Sequence, residues 1–312
     1  MNIETPKIKS KAPEEVISSL SSLLNKNEYL KTLEYGIILC EKFPIDEQIH
    51  YIMGLAYYFS KDFTKSLYHF KFAVKLKPNF YEALNNLGIL YSEYNTQKNK
   101  TNSNEIKKSI FYLKTAIKIN SNNACAYENL GNIYFKIGDY FKSIKAFDKA
   151  REIKPLTNED AEKLIISRKN EGLINEALEF IEELQNKKII PNLIFQETSL
   201  THTILPNKDE IFKQRNRIIN SINKYQTKKI SDFNVDISLN PKFYLFHLSY
   251  DGLPTKEIFK KQGILFQKYI PKINLFKEKK SDNLRKIKVG VFTKFITNHP
   301  VSYCFLDIFL GL

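Results

Sequence analysis

The chain has no tryptophan, three cysteines, ten glycines and eleven prolines in 312 residues. Each scarcity excludes something. So few turn formers argue against a loop-rich β sandwich. Cys40, Cys125 and Cys304 are far apart and odd in number, with no CxxC and no Cys/His grouping in the linear order. Neither a disulfide framework nor a zinc site is therefore expected, and no cofactor or metal is assigned to the chain. No stretch approaches the roughly 18 apolar residues that a membrane span requires. The first twelve residues are polar and lysine-rich, so no signal peptide is visible. A soluble, reducing, cytoplasmic setting is the resulting expectation.

What is present is a real core and an uneven charge. The 312 residues are long enough for about two domains of ordinary size, and the 43% that are hydrophobic support real cores rather than a disordered tail. The formal charge is +14. Residues 1–204 carry a net of only +3, residues 205–294 carry +12, and residues 295–312 carry −1. One reading of this basic segment is lysine-rich coding bias on a solvated surface. The other is an acidic partner or nucleic acid. No RNA- or DNA-binding motif accompanies the charge, so nucleic acid is not an expected partner.

Periodicity carries the strongest signal. Pro44 and Pro78 are 34 residues apart, the period of the tetratricopeptide repeat (TPR), a helical hairpin that stacks into a solenoid. In the repeat ending at Pro78, Met53, Gly54 and Tyr57 fall on the first helix and Ser66, Phe70 and Ala73 on the second. In the repeat ending at Pro155 the matching residues are Tyr127, Leu130, Gly131 and Tyr134, then Ser143, Phe147 and Ala150. The repeat between them has Leu84, Leu87, Gly88 and Tyr91, then Ser109, Leu113 and Ala116. Its second half arrives late, and the excess falls in the polar run Asn95–Asn104, expected as a loop that is either tolerated drift or a ligand-reading element. Residues 13–46, through Leu20, Leu23, Leu39 and Pro44, and residues 158–190, through Leu164, Gly172, Ala177, Ile181 and Leu184, fit as degenerate outer repeats. The expectation is a mainly α chain with a TPR solenoid of about five repeats over residues 13–190.

A curved stack of this kind leaves a concave face for polypeptide segments. Asn86 and Asn129 occupy the same repeat position, just before Leu87-Gly88 and Leu130-Gly131, with Asn132 on the same helix face. An amide offers two donors and an acceptor, so it can hydrogen-bond a peptide backbone in both senses without reading its sequence. These three are the candidate peptide-binding residues; plain solvated asparagine is the alternative. Ile52 and Lys163, at the corresponding flanking positions, interrupt the series.

Residues 191–284 read as a basic helical connector. Ile211, Phe212, Arg215, Ile218, Ile219 and Ile222 give a helical stripe over 208–224, and residues 254–270 carry another with Ile258, Phe259, Leu265 and Phe266. Residues 285–312 change character. Lys286–Phe292 is β-branched and apolar, the mark of a buried strand. After a short loop, Pro300 suits a helix start, and Val301, Phe305, Ile308, Phe309 and Leu312 form one stripe. This strand-loop-helix opens a doubly wound α/β sheet. One strand cannot cover both its faces and edges, so 285–312 is expected to be the start of a truncated α/β domain; a small unit docked on the preceding helices is the alternative.

This order of parts, with Lys286-Ile287-Lys288-Val289-Gly290-Val291 followed by Asn298-His299-Pro300-Val301, resembles the SPINDLY-type, TPR-containing protein O-linked N-acetylglucosamine transferases of bacteria. Phe243-Tyr244-Leu245, then Tyr250-Asp251-Gly252 and Lys256-Glu257, is similar to a block of the same family, as is Asp209-Glu210-Ile211 with Arg215-Asn216-Arg217. The resemblance implies a two-lobed GT-B fold and inverting transfer of a sugar from UDP-GlcNAc, the implied donor substrate, to Ser or Thr. The TPR groove would present the protein. His299 matches the family histidine near donor and acceptor; an imidazole there can exchange protons or orient a hydroxyl. The asparagine row is also a family feature. Lys294, before Phe295, departs from the family's usual polar or acidic residue. The family's pyrophosphate-stabilising lysine and helix N-terminus are not found within these residues. The chain alone is therefore expected to be inactive, and His299 reads equally as a helix-start residue. The alternative function is a non-catalytic TPR adaptor for protein–protein interaction. A homo-oligomer is left open.

Overall fold

Proline spaces the helices. In the computed structural model, the second helices of three hairpins end two residues before a proline: α2 (Tyr29–Lys42) before Pro44, α4 (Phe63–Leu76) before Pro78 and α8 (Tyr140–Ile153) before Pro155. The residue before proline is pushed out of the α region, so the helix must stop there. Restarts are set by side-chain caps. Asp46 accepts from the amides of Gln48 and Ile49 to open α3 (Glu47–Phe59), and Asn123 and Thr157 cap α7 (Ala124–Ile137) and α9 (Asn158–Asn170) in the same manner. Asp62 and Asp139 cap α4 and α8. Each cap satisfies a backbone donor that the helix itself leaves open.

The structure describes residues 11–97, 103–187, 191–202, 205–227 and 253–269, all within one unit, 1–271. They form thirteen helices and, among the described residues, no strand. Five hairpins come first: α1 (Glu14–Asn25) with α2, α3 with α4, α5 (Tyr81–Gln97) with α6 (Ser103–Ile119), α7 with α8, and α9 with α10 (Ile174–Lys187). Then follow α11 (Pro191–Ser199), α12 (Lys208–Thr227) and α13 (Lys256–Tyr269). The expected strand at 286–292, the helix after Pro300, His299 and the 243–249 block lie outside the described residues.

The repeated small residues close the three central hairpins at the same two points. A Cβ placed on Gly54 would fall 2.6 Å from the Phe70 ring, and one on Gly131 would fall 2.9 Å from Phe147. Next to these contacts, Ser66 Oγ donates to the Gly54 carbonyl at 2.8 Å and Ser143 Oγ to the Gly131 carbonyl at 3.0 Å; Ser109 does the same to Gly88. Glycine thus brings the two helices close enough for a buried hydroxyl to reach the opposite backbone. Between hairpins the fill is aromatic and aliphatic: Phe63, Phe70, Leu87, Leu90 and Tyr91 form one buried cluster, and Leu113, Leu130, Ile133 and Tyr134 another. Burial of such a side chain contributes roughly 1.5–3 kcal/mol.

Three details differ from the sequence reading. First, α5 and α6 have 17 residues each, against 13 or 14 in α3, α4, α7 and α8. Residues 95–97 and 103–104, expected as loop, are helical, because the run contains neither glycine nor proline to stop a helix. Second, Leu24 rather than Leu23 joins Leu20 in the core, as the i, i+4 spacing of one helix face requires. Third, the core does not break at residue 190. Leu193 and Leu200 pack into the same cluster as Leu164, Ile165, Ala177 and Ile181.

The basic connector also turns charge inward. Arg217 donates to the Glu197 carbonyl at 3.0 Å and to the Leu200 carbonyl, and Arg215 donates to the Pro254 carbonyl. Carbonyls at the end of α11 lack intrahelical partners, and the half-buried Arg217 guanidinium satisfies them. The Glu197 carboxylate in turn accepts from Tyr225 and Ser221 of α12. These cations and this anion hold the connector segments together rather than facing a partner.

Candidate peptide-binding groove

First helices of successive hairpins touch: α1 lies against α3, α5 against α7, and α7 against α9. The second helices have no comparable mutual contacts. The first-helix layer is therefore the tighter, inner side of the stack. Between α5, α7 and α9 this layer holds a depression of about 370 Å³ lined by Ile89, Glu93, Asn129, Asn132, Phe135 and Lys163 among others. A second depression of about 780 Å³ lies at the N-terminal end, between α1 and the start of α3. There the polar groups already serve one another: Lys11 Nζ sits 2.7 Å from Glu47, and Asp46 caps α3.

The asparagines form an ordered series. Asn86 Nδ2 donates to the Tyr51 hydroxyl at 3.2 Å, and Asn129 Nδ2 donates to Asn85 Oδ1 at 3.1 Å. Tyr51 and Asn85 occupy equivalent places, each one residue before the position that Asn86 and Asn129 hold in the next hairpin. Both asparagines thus make the same tie to the preceding first helix. Asn132 reaches the other way. Its Nδ2 donates to Asp160 Oδ1 at 2.9 Å, and its oxygen accepts from Lys163 Nζ. The structure brings Asn129 and Asn132 into one depression, while Asn86 lies one hairpin toward the N-terminus, beside Tyr51. All three are half-buried.

Sequence reasoning passed over Lys163, which interrupted the asparagine series, and Asn85. In the fold Lys163 is part of the same network, 2.6 Å from Glu159 and 3.7 Å from Asp160. Lys136 reaches across to the Ser92 carbonyl at 3.4 Å, and Glu93 accepts from Tyr58 at 2.7 Å. Burial, then the Glu93 carboxylate, pushes the Tyr58 phenol well above its ordinary pKa, so it is a neutral donor. Charges of both signs therefore line the groove, each already engaged. No single sign selects a ligand, and the amides are the groups suited to a backbone.

One further grouping was invisible in the linear sequence. Cys40 of α2, His50 of α3 and His69 of α4 place a sulfur and two ring nitrogens within 4.8 Å of one another. The absence of a Cys/His grouping in linear order therefore does not hold in the fold. Burial lowers the pKa of His50; burial together with His50 lowers that of His69 to about 4. Burial raises the Cys40 thiol to about 11.

A stack of helical hairpins, the three central ones closed by Gly and Ser at matching positions, defines a repeat fold. Residues 124–156 match the tetratricopeptide repeat family. Among solved structures, PilF of Pseudomonas aeruginosa is similar over 76% of this chain and 95% of its own, at TM-score 0.52 and 12% identity. PilW, described as a widely conserved type IV pilus biogenesis factor, is similar over 70% and 94%, at TM-score 0.50 and 13% identity. A thermophilic TPR protein of Thermus thermophilus aligns over 68% and 99%, at TM-score 0.47 and 15% identity. At these identities the likeness concerns the fold alone. No curated protein matches the chain. The described part is a TPR-like helical solenoid. Among the described residues no helix is long and apolar enough to cross a membrane.

Proposed function

We propose that the inner layer holds an extended polypeptide and grips its backbone through Asn86, Asn129 and Asn132. The observation that carries this reading is the equivalent placement of Asn86 and Asn129, each bridging to the preceding first helix, with Asn132 beside the second of them. A peptide backbone alternates N–H and C=O, and an amide can meet either. Mixed, engaged charges around the amides favour backbone over side-chain recognition. The test starts from a peptide selected by random display against the full chain. Asn86→Ala with Asn129→Ala should weaken its binding about threefold, since each amide exchanges a bond to Tyr51 or Asn85 for one to the peptide and contributes less than a whole hydrogen bond, with helical circular dichroism unchanged. Equal affinity for the double variant overturns the assignment.

In a finer reading the held polypeptide is a substrate, receiving GlcNAc from UDP-GlcNAc on a Ser or Thr hydroxyl near His299. Support comes from the sequence at 209–217, 243–257 and 286–301. The competing reading, a cytoplasmic adaptor that docks partners without chemistry, accounts for the solenoid equally well. Mass spectrometry of a bound, serine-containing peptide after incubation with UDP-GlcNAc tests the transfer reading. An N-acetylhexosamine adduct that disappears in His299→Ala supports transfer and overturns the adaptor. Peptide binding with no adduct fits the adaptor and equally a transferase chain that lacks its pyrophosphate-stabilising lysine.

A further inference from the structure

We propose that Cys40, His50 and His69 form a zinc site that clamps the first hairpin to the second. The three residues come from three helices, α2, α3 and α4, and their candidate ligand atoms lie within 4.8 Å of one another. His50 Nδ1 and His69 Nδ1 are 3.0 Å apart. Two nitrogens on a tetrahedral zinc, each at about 2.0–2.1 Å, stand about 3.3 Å apart, so the imidazoles need only a few tenths of an ångström of movement.

The outer shell is also that of a metal site. His50 Nε2 lies 3.2 Å from the Pro44 carbonyl. A carbonyl can only accept, so Nε2 carries the proton and the Nδ1 lone pair faces the cluster. A ligating histidine commonly donates its other N–H to a backbone carbonyl in this way, which fixes ring orientation and tautomer. The rings are further held by aromatic neighbours: Phe72 lies 4.5 Å from His50, centroid to centroid, and Tyr57 stacks on His69 at 5.4 Å. The site opens into a depression of about 310 Å³ that Glu41 also lines. That opening leaves room for water as the fourth ligand.

One thiolate and two imidazoles are a borderline-soft set, suited to zinc rather than to magnesium or calcium. Without metal, His69 Nδ1–H donates to His50 Nδ1. On loading, His69 takes the Nε2–H tautomer, Cys40 releases its thiol proton to solvent, and no oxidation state changes. The clamp joins the end of α2 to α3 and α4, and so stiffens the junction where the stack begins.

The test uses the full chain, stripped of metal and titrated with Zn²⁺ against a chromophoric chelator, and with Co²⁺ as a spectroscopic stand-in. We expect one ion per chain and a thiolate-to-cobalt charge-transfer band with tetrahedral ligand-field absorption. Loss of an outer-shell partner alone typically costs 10–100-fold in metal affinity, so Cys40→Ser and His69→Gln should each weaken zinc binding about tenfold or more. Zinc should raise the melting temperature of the wild type and of neither variant. Absence of the cobalt band in the wild type overturns the proposal without recourse to any variant. A band that persists in Cys40→Ser places the metal elsewhere and also overturns it.

Discussion

Gly54→Ala is the sharpest probe of how the hairpins close. Two effects oppose one another. Alanine is preferred over glycine in a helix interior by about 1 kcal/mol, so on propensity alone the variant should be more stable. The added methyl, however, would sit 2.6 Å from two atoms of the Phe70 ring, which is fully buried. Ordinary contact would need the ring to withdraw by about 1 Å, and close-packed interiors resist such a shift. Phe63, Leu87, Leu90 and Tyr91 wall it in. Overpacking of this kind costs about 1–3 kcal/mol; an overlap this deep belongs in the upper part of that range. The net expectation is a loss of about 1–2 kcal/mol. Gly263 is the control. It lies on α13, and a Cβ there would meet nothing within 4 Å. Gly263→Ala should gain about 0.5–1 kcal/mol. Urea unfolding followed by circular dichroism reads both. A Gly54→Ala midpoint at or above the wild-type value refutes the close-approach argument.

Ser143→Ala removes the Oγ that donates to the Gly131 carbonyl at 3.0 Å and accepts from Ser167 at 3.2 Å. Both partners are buried, so the variant should lose about 1–3 kcal/mol in the same urea assay, whereas an exposed serine would lose almost nothing. Glu47 gives a pH dependence. Burial opposes its ionisation, but the hydrogen bond from Lys11, its backbone amide and the charge of Lys11 outweigh burial and hold its pKa below the usual value. A carboxylate with a depressed folded-state pKa contributes its full stabilisation at neutral pH and loses it as pH falls through the acidic range. Lys11→Ala should therefore lower the melting temperature slightly at pH 7, by less than about 1 kcal/mol of stability because Lys11 is exposed. The gap should shrink toward pH 3. A gap that widens in acid contradicts the assignment.

What could be read from the sequence was what steric constraint repeats. Pro44, Pro78 and Pro155 each stop a helix, and Gly54, Gly88 and Gly131 each admit a neighbour; such constraints act within one hairpin and recur at the same repeat positions, even where the long α5–α6 hairpin stretches the 34-residue interval. The serines at 66, 109 and 143 belonged to the same pattern, though their acceptors did not show in it. The connector helices were legible too, from stripes at 208–224 and 254–270. What escaped depends on convergence between elements. Arg215 stood in the 208–224 stripe and Arg217 counted only toward the basic charge, yet both satisfy carbonyls of other segments. Cys40, His50 and His69 meet only because α2, α3 and α4 meet, and no spacing along the chain announces it. The asparagine row was visible as a row, but its partners, Tyr51 and Asn85, were not.

Those partners change what the groove can offer a ligand. An amide pointing into water would add a net hydrogen bond when a peptide arrives. Asn129 instead already donates to Asn85. A peptide carbonyl that recruits the same N–H must displace Asn85, so the bond is exchanged rather than gained, and its net contribution falls below the usual roughly 0.5–1.5 kcal/mol. Binding must then draw on apolar contact at Ile89 and Phe135 and on the order the ties impose beforehand, since a side chain already held loses less entropy on binding. The two consequences separate cleanly in Asn85→Ala. If exchange dominates, freeing Asn129 should tighten peptide binding severalfold, by up to about 1 kcal/mol. If the tie chiefly pre-positions Asn129, Asn85→Ala should weaken binding as much as Asn129→Ala does. The Asn129–Asn85 bond is half-buried and bridges two hairpins, so water already competes for it, and breaking it costs little; exchange is the expected regime. Anisotropy titration of the selected peptide against the two single variants decides the matter, and parallel weakening in both refutes the exchange argument.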